Sequence, residues 1–328
     1  MNMYKRILAT VSIILYLAGN GAASEDTLKV KGVPIPITQP RHRFFHPRWS
    51  PDGTMIAVTG ENYRGLWIMN SHGHDLKNLS EDERIGYGFE WASDSKEIAC
   101  RTTKIIQNRR LSAIKTIDVA SAMSRLLTDY RTLIGIPTWA ANNRKICYTI
   151  DDNLQIINSE RKHTKHIKAI SPDEIVLYQS YGRIILSDLQ QQKQTILVDP
   201  NSRFINANLS PNQNKIAFEM TDGHIYVMNR DGTNIVDLGI GSHPRWSPSG
   251  NWLVYYISRD DGQRVIDSEI FITDIYGNKR IWLTNTRDRI EMNPDWSPDG
   301  NTIVFDEYET GIIYQVKIIK VRVVPSMR

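Results

Sequence analysis

Cysteine is scarce in this chain: Cys100 and Cys147 are the only two in 328 residues, too few for a disulfide framework. Both fall in strand-forming runs and read as buried thiols. The chain has no Gly-x-Ser-x-Gly turn, no His-Glu-x-x-His pair, no glycine-rich phosphate loop and no cysteine cluster. The sequence signatures of serine hydrolases, zinc peptidases and nucleotide-binding enzymes are therefore missing. Charge of one sign is scarce as well. The formal net charge is +4, which argues against nucleic acid or an anionic membrane surface as the main partner. Beyond the first two dozen residues no apolar run approaches the roughly 20 residues of a membrane-spanning helix.

What is present begins with a three-part N-terminus. Lys5 and Arg6 precede an apolar run from Ile7 to Leu17, and Gly21, Ala22 and Ala23 follow among small residues up to Ser24. That order is the build of a secretory signal peptide, expected to occupy residues 1–24; an uncleaved anchor is the alternative. No cysteine lies near the cleavage region, so a lipid-modified terminus is not expected. Loss of Lys5 and Arg6 would leave a formal charge of +2. The remainder, 25–328, is 41% hydrophobic and 23% charged when counted with the leader, the balance of a folded soluble domain.

Internal repetition sets the architecture. His46-Pro-Arg-Trp-Ser-Pro-Asp-Gly53 recurs as His243-Pro-Arg-Trp-Ser-Pro-Ser-Gly250 and as Asn293-Pro-Asp-Trp-Ser-Pro-Asp-Gly300. Weaker copies are Phe89-Glu-Trp-Ala-Ser-Asp-Ser95, Pro137-Thr-Trp-Ala-Ala-Asn-Asn143, Ala169-Ile-Ser-Pro-Asp173 and Asn208-Leu-Ser-Pro-Asn212. Aligned on the Trp position, the seven copies fall at Trp49, Trp91, Trp139, Ile170, Leu209, Trp246 and Trp296. Their spacing averages about 41 residues, the length of one four-stranded propeller blade. After each motif come short β-rich runs, such as Met55-Ile-Ala-Val58 and Leu66-Trp-Ile-Met69, separated by turns such as Ser71-His-Gly73. No helical period interrupts them.

The expected fold is all-β, a propeller of seven blades with six as the alternative. The last copy lacks a fourth strand of its own. Thr27 to Lys31, or Val33 to Ile37, would supply it and close the ring. In the motif, Pro fixes φ, Asp can bond its own backbone and Gly accepts positive φ, so Ser-Pro-Asp-Gly makes a tight turn. The Trp is a large apolar plate between blades. Each turn supplies too few oxygens for the six to eight ligands of calcium.

The copies at Trp49, Trp246 and Trp296, with Ile-Tyr-Val-Met-Asn-Arg-Asp-Gly at 225–232, resemble the propeller repeat of the TolB family, the periplasmic partners of the Tol-Pal envelope system. Similar repeats also occur in propeller domains of prolyl oligopeptidase-like peptidases. The resemblance spans about residues 40 to 320 and implies a periplasmic or secreted protein that binds a Pal-like or other envelope protein or peptide. The family pattern has six blades behind a separate α/β domain. This chain shows seven copies and begins the first by His46, so the resemblance reaches the repeat rather than that domain.

Function is expected on the face where loops enter the innermost strands. The residue before each Trp position should point at the channel, which gives Arg245, Asp295, Arg48 and Glu90 in consecutive copies. They read either as a self-neutralising network or as a pocket for a carboxylate, with His46 and His243 beside two arginines whose planar forks suit both oxygens. A metal on the two histidines lacks an evident third ligand, so no cofactor is expected. Arg109, Arg110, Tyr130, Arg131, Arg259, Arg287 and Arg289 lie in connections to the same face and form an expected partner-binding rim. The expected role is a monomeric binding or scaffold module rather than an enzyme. The alternative is a lyase-like carbohydrate-active or peptide-processing propeller with a channel site.

Overall fold

The computed structural model describes residues 26–140, 142–159, 175–180, 182–197, 203–286 and 289–322. The leader, the copy at Ile170 and the rim residue Arg287 lie outside these. The described residues form seven antiparallel sheets. Each is one blade of a seven-bladed β-propeller, and the six-bladed alternative falls away. Blade 1 comprises Phe45–Trp49, Met55–Thr59, Leu66–Asn70 and Lys77–Ser80, in that order from the axis outward. Blade 2 follows with Phe89–Trp91, Glu97–Ile106, Arg109–Asp118 and Ser124–Leu126. Blades 3 and 4 show three described strands each, Thr138–Ala140, Lys145–Ile150 and Asn153–Asn158, then Ile175–Ser180, Arg183–Asp188 and Lys193–Ile196. Blade 5 (Phe204–Leu209, Lys215–Met220, His224–Asn229, Val236–Ile240) and blade 6 (Ser242–Trp246, Trp252–Asp260, Val265–Asp274, Arg280–Trp282) are complete.

Blade 7 is shared between the chain ends. Glu291–Trp296, Thr302–Glu307 and Ile313–Arg322 are its inner three strands, and Asp26–Pro36 pairs antiparallel with the last of them as the outermost. The register runs from Asp26 opposite Arg322 to Pro36 opposite Tyr314, across an irregularity between Lys31 and Ile35. Both candidate N-terminal segments thus belong to one closing strand.

The motif turns fold as their residues dictate. Ser50 Oγ donates to Asp52 Oδ1 at 2.7 Å and accepts from Met55 N at 2.9 Å, while Thr54 N donates to the same Asp52 oxygen at 3.0 Å. Ser297, Asp299 and Thr302 repeat the arrangement in blade 7, and Ser210, Asn212 and Lys215 in blade 5. The carboxylates are occupied by their own backbone. A methyl placed on Gly53 would touch the Pro298 ring at 3.5 Å, and one on Gly250 the Pro211 ring at 3.7 Å. The turns of successive blades therefore abut as a collar.

The motif tryptophans are the expected plates. Trp296 packs with Trp252, Val254 and Ile272 of blade 6, and Trp91 with Ala57, Leu66 and Ile68 of blade 1. Three of them also lock to a neighbouring blade through a polar edge: Trp91 Nε1 donates to Arg48 O at 3.4 Å, Trp139 Nε1 to Glu90 O at 3.1 Å and Trp246 Nε1 to Asn208 O at 3.1 Å, whereas the Nε1 atoms of Trp49 and Trp296 are buried without a hydrogen-bond partner. Cys100 and Cys147 are fully buried in adjacent blades and are not joined by a disulfide. Burial pushes the Cys100 thiol up to about 12, which leaves it unreactive.

One sequence expectation needs correction. Arg101 to Ser112 and Ser258 to Asp267 read as loops between second and third strands. In the structure they are continuations of those strands, paired out to Ile106 with Arg109 and to Asp260 with Val265. Thr102, Thr103, Ile105 and Ile106 are β-branched and prolong the strand. Gln107 and Asn108, at φ 49° and 60°, make the two-residue turn whose twist suits a hairpin.

Candidate functional site at the channel mouth

A repeated backbone irregularity builds the site. Three residues before the Trp position, His46, Asn206, His243 and Asn293 adopt φ of 51° to 53°, a left-handed conformation that Asn and His tolerate better than most residues. At each of them the pairing with the second strand slips. Such a bulge re-aims neighbouring side chains and backbone. At His46 and His243 it turns the backbone N–H toward the preceding blade.

Carboxylates there receive it. Asp306 of blade 7 accepts from His46 N at 2.6 Å and from Asn293 Nδ2 of its own blade at 2.9 Å. Glu219 of blade 5 accepts from His243 N and, at 2.6 Å, from Asn206 Nδ2. The sequence reading missed both acids. Their signal was visible: an acid directly after the apolar runs Ile216 to Phe218 and Ile303 to Phe305 in the second strands. Burial pushes the Asp306 carboxyl up to about 7 and raises Glu219 as well.

Of the residues before the Trp positions, the structure pairs Arg48 with Asp295. Arg48 Nη1 lies 3.6 Å from Asp295 Oδ1, an ion pair too long for a hydrogen bond. Asp295 Oδ2 accepts from Trp49 N at 2.8 Å. Glu90 does not join the arginines directly: its Oε2 accepts from Trp139 N at 3.2 Å, and burial pushes its carboxyl up to about 7. Arg245 of blade 6 interacts electrostatically with Glu90 of blade 2, Glu219 of blade 5 and Asp295 of blade 7. Groups from across the ring therefore meet at the axis.

The convergence leaves positive charge without enough partners. Burial, then the neighbouring Arg245, hold the Arg48 guanidinium down at about 9, and Arg245 is lowered chiefly by burial. Arg48 Nη1 and Arg245 Nε are buried without a hydrogen-bond partner, and Arg245 forms no ion pair among the described residues. A buried unpaired guanidinium N–H is costly. Burial and the two arginines also hold His46 and His243 near 3, so both imidazoles are neutral at neutral pH. His243 Nδ1 lies 3.1 Å from Tyr256 Oη, and the two rings stack with centroids 5.5 Å apart. His46 stacks on Tyr63 at 4.8 Å, Tyr63 meets Tyr87 edge-on at 5.0 Å, and Arg101 lies over Tyr87 at 5.0 Å. Among the described residues no group of three or more His, Cys, Asp or Glu side chains is placed to hold a metal ion.

The expected rim splits into separate sectors. Lys104 Nζ lies over the Tyr130 ring at 4.8 Å, and Ser112 and Arg131 exchange backbone hydrogen bonds of 2.7 and 2.8 Å, so Arg109, Arg110, Tyr130 and Arg131 share blade 2. Arg131 also lines a shallow cleft of about 490 Å³ with Leu127, Asp129, Tyr148 and Gln155. Arg259 stands on the hairpin of blade 6, paired with Asp267 at 2.6 Å. Arg289 lies over Tyr314 at 4.9 Å in blade 7.

These features define a seven-bladed β-propeller of Trp-Ser-Pro-Asp-Gly repeats with a polar channel mouth. In architecture it is a TolB-like propeller: a solved structure of a candidate TolB from Agrobacterium tumefaciens aligns with 92% of this chain and 100% of its own, at TM-score 0.54 and 16% identity. No family model and no curated protein matches the sequence. As many as 1236 solved chains share the fold, so the fold does not choose among functions and the site must. No helix among the described residues is long and apolar enough to cross a membrane.

Proposed function

We propose that this chain is an exported, periplasmic or secreted propeller that binds a protein or peptide through a carboxylate at the channel mouth. The observation that carries the reading is the Arg48–Arg245 pair: two buried guanidiniums that repel each other and hold unused N–H groups, with one carboxylate 3.6 Å from Arg48 and none within ion-pair reach of Arg245 among the described residues. A bound carboxylate would accept from both forks. Neutral His46 and His243 add donor or acceptor capacity without competing charge. The leader-like residues Lys5, Arg6 and Ile7 to Leu17 support export, and the TolB-like architecture supports an envelope partner, with a Pal-like lipoprotein among the candidates. In this reading the protein acts as a monomer, and the six residues His46, Arg48, Glu90, His243, Arg245 and Asp295 form the ligand site.

The test is affinity capture from envelope extract by the chain from Glu25 onward, beside a variant carrying Arg48→Ala and Arg245→Ala. A specific protein held by the wild type and lost by the variant is expected. Synthetic segments of that protein should then bind with a free carboxylate and fail when the carboxylate is amidated. A folded double variant that captures the same protein equally well removes the site assignment.

A further inference from the structure

The hairpin of blade 2 projects beyond its sheet. Its two strands pair from Glu97 opposite Asp118 to Ile106 opposite Arg109. The innermost strand reaches only Cys100, and the outermost only Lys115. Six further rungs therefore extend about 20 Å past the four-stranded part. The lower rungs are braced, since Thr103 N donates to Glu83 O at 3.1 Å and Ser112 bonds Arg131. No described strand flanks Lys104–Ile106 or Arg109–Leu111.

The chemistry of this arm is unlike the rest of the surface. From Arg101 to Ile117 there is no acidic residue and there are five cations: Arg101, Lys104, Arg109, Arg110 and Lys115. Asp82 neutralises Lys115 at 2.7 Å, and Arg101 is tied to Ile134 O at 2.8 Å. Arg109 and Arg110 are exposed, with no side-chain partner among the described residues. At the tip Ile105 is 77% exposed and Ile106 42% exposed. In the adjoining loop Leu133 is 75% exposed and held at φ 54°. The equivalent arm of blade 6 is charge-paired instead, through Arg259–Asp267 and Arg264–Asp261.

We infer that the blade 2 arm is a peripheral docking point for an anionic lipid bilayer. Aliphatic tips ringed by unpaired cations suit an interface in which apolar groups enter the acyl boundary and cations meet headgroups. The tip projects beyond the four-stranded part of the blade, whereas protein hot spots sit in well-packed pockets. The near-neutral total charge of the chain conceals this local concentration. The assignment does not depend on the channel-mouth ligand.

The test is co-sedimentation of the chain from Glu25 onward, which holds all seven blades, with vesicles of phosphatidylcholine alone or with about one-third phosphatidylglycerol. Binding to the anionic vesicles only is expected, weakening at high salt. Arg109→Glu with Arg110→Glu should reduce it more than tenfold, since each cation near such a surface is worth about fivefold. Ile105→Thr with Ile106→Thr keeps β-branched residues in the strand and should reduce it severalfold. Arg259→Gln with Arg264→Gln on the other arm should leave it unchanged. Melting curves matching the wild type confirm that the variants are folded. Absent binding, equal binding to neutral vesicles, or arm variants that bind like wild type each overturn the inference. So does an envelope protein lost by the arm variants from a chain that ignores vesicles, which would make the arm a protein-docking surface.

Discussion

Replacing Arg245 by Met should stabilise the protein while abolishing its ligand. Arg245 is enclosed, its Nε is unbonded, and it is the second cause, after burial, of holding Arg48 at about 9 rather than 12.5. That depression corresponds to roughly 4–5 kcal/mol against the charged Arg48. Removing Arg245 removes the repulsive part of that depression, before its own burial is counted. Methionine fills similar length with no charge to desolvate. Replacing buried charge by apolar groups stabilises by about 1–4 kcal/mol in comparable cases, so a gain of about 1–3 kcal/mol is expected for Arg245→Met. Asp295, Glu90 and Glu219 lose a favourable neighbour, but burial already raises all three, a proton can replace it, and Asp295 keeps Arg48 at 3.6 Å. Urea unfolding at pH 7 gives the stability, and titration with the captured segment gives the affinity, which should fall more than tenfold. A variant less stable than wild type by 1 kcal/mol or more would refute the reasoning, because Arg245 would then be a structural ion rather than a held-open binding group.

Three further outcomes follow from other contacts. Gly73 sits at φ +82°, and a Cβ there would lie 1.8 Å from Ile37 O, whereas Gly223 at φ +84° has nothing within 4 Å; Gly223→Ala should cost about 1 kcal/mol and Gly73→Ala about 2–4 kcal/mol in denaturant unfolding, and equal costs would mean that Ile37 does not press on that turn. The Asp306 carboxyl titrates near 7 when folded and near 3.8 when unfolded, so the folded state holds the extra proton and stability falls as pH rises between those values. Asp306→Asn should remove about 1.4 kcal/mol per pH unit of that fall, seen by comparing urea midpoints at pH 5 and 7; an unchanged slope contradicts the assignment. Ser50→Ala and Ser297→Ala each strand the N–H of Met55 or Thr302 and should each cost about 1–3 kcal/mol in urea unfolding; a cost near zero for either would mean that its hydroxyl does not hold the turn.

The ring was legible because its signals are local and repeated. Ser-Pro-Asp-Gly fixes a turn wherever it occurs, and the Trp before it has one apolar destination. Even degenerate copies such as Asn208-Leu-Ser-Pro-Asn212 kept the Ser and the Asx oxygen that the turn needs. The closing strand was legible by elimination, since the last copy lacked one. Of the residues before the Trp positions, Arg48 and Asp295 come together, while Glu90 bonds Trp139 instead. The bulges were not foreseen, because a left-handed His46 or His243 before proline carries no period. Without them Asp306 and Glu219 seemed ordinary strand ends, and the neutral state of both histidines could not be read. The arms were mistaken for loops because Arg109 and Arg110 suggested solvent, while the β-branched residues before them were continuing the sheet.

The pairing of Asp26–Pro36 with Ile313–Arg322 also sets a timetable. The first described strand to leave the ribosome finds its partner only when the last one has emerged. Until then blade 7 lacks its rim, Ile37 cannot bond Ile313 O, and blade 1 has no neighbour on one side. Contacts this distant in sequence form late and slowly. The nascent chain can assemble its middle blades, but it remains an open arc with two apolar flanks. Arrival of Ile313–Arg322 is thus the step that turns an arc into a ring, and the channel mouth, which draws Arg48 from blade 1 and Arg245 and Asp295 from blades 6 and 7, is enclosed only at that moment.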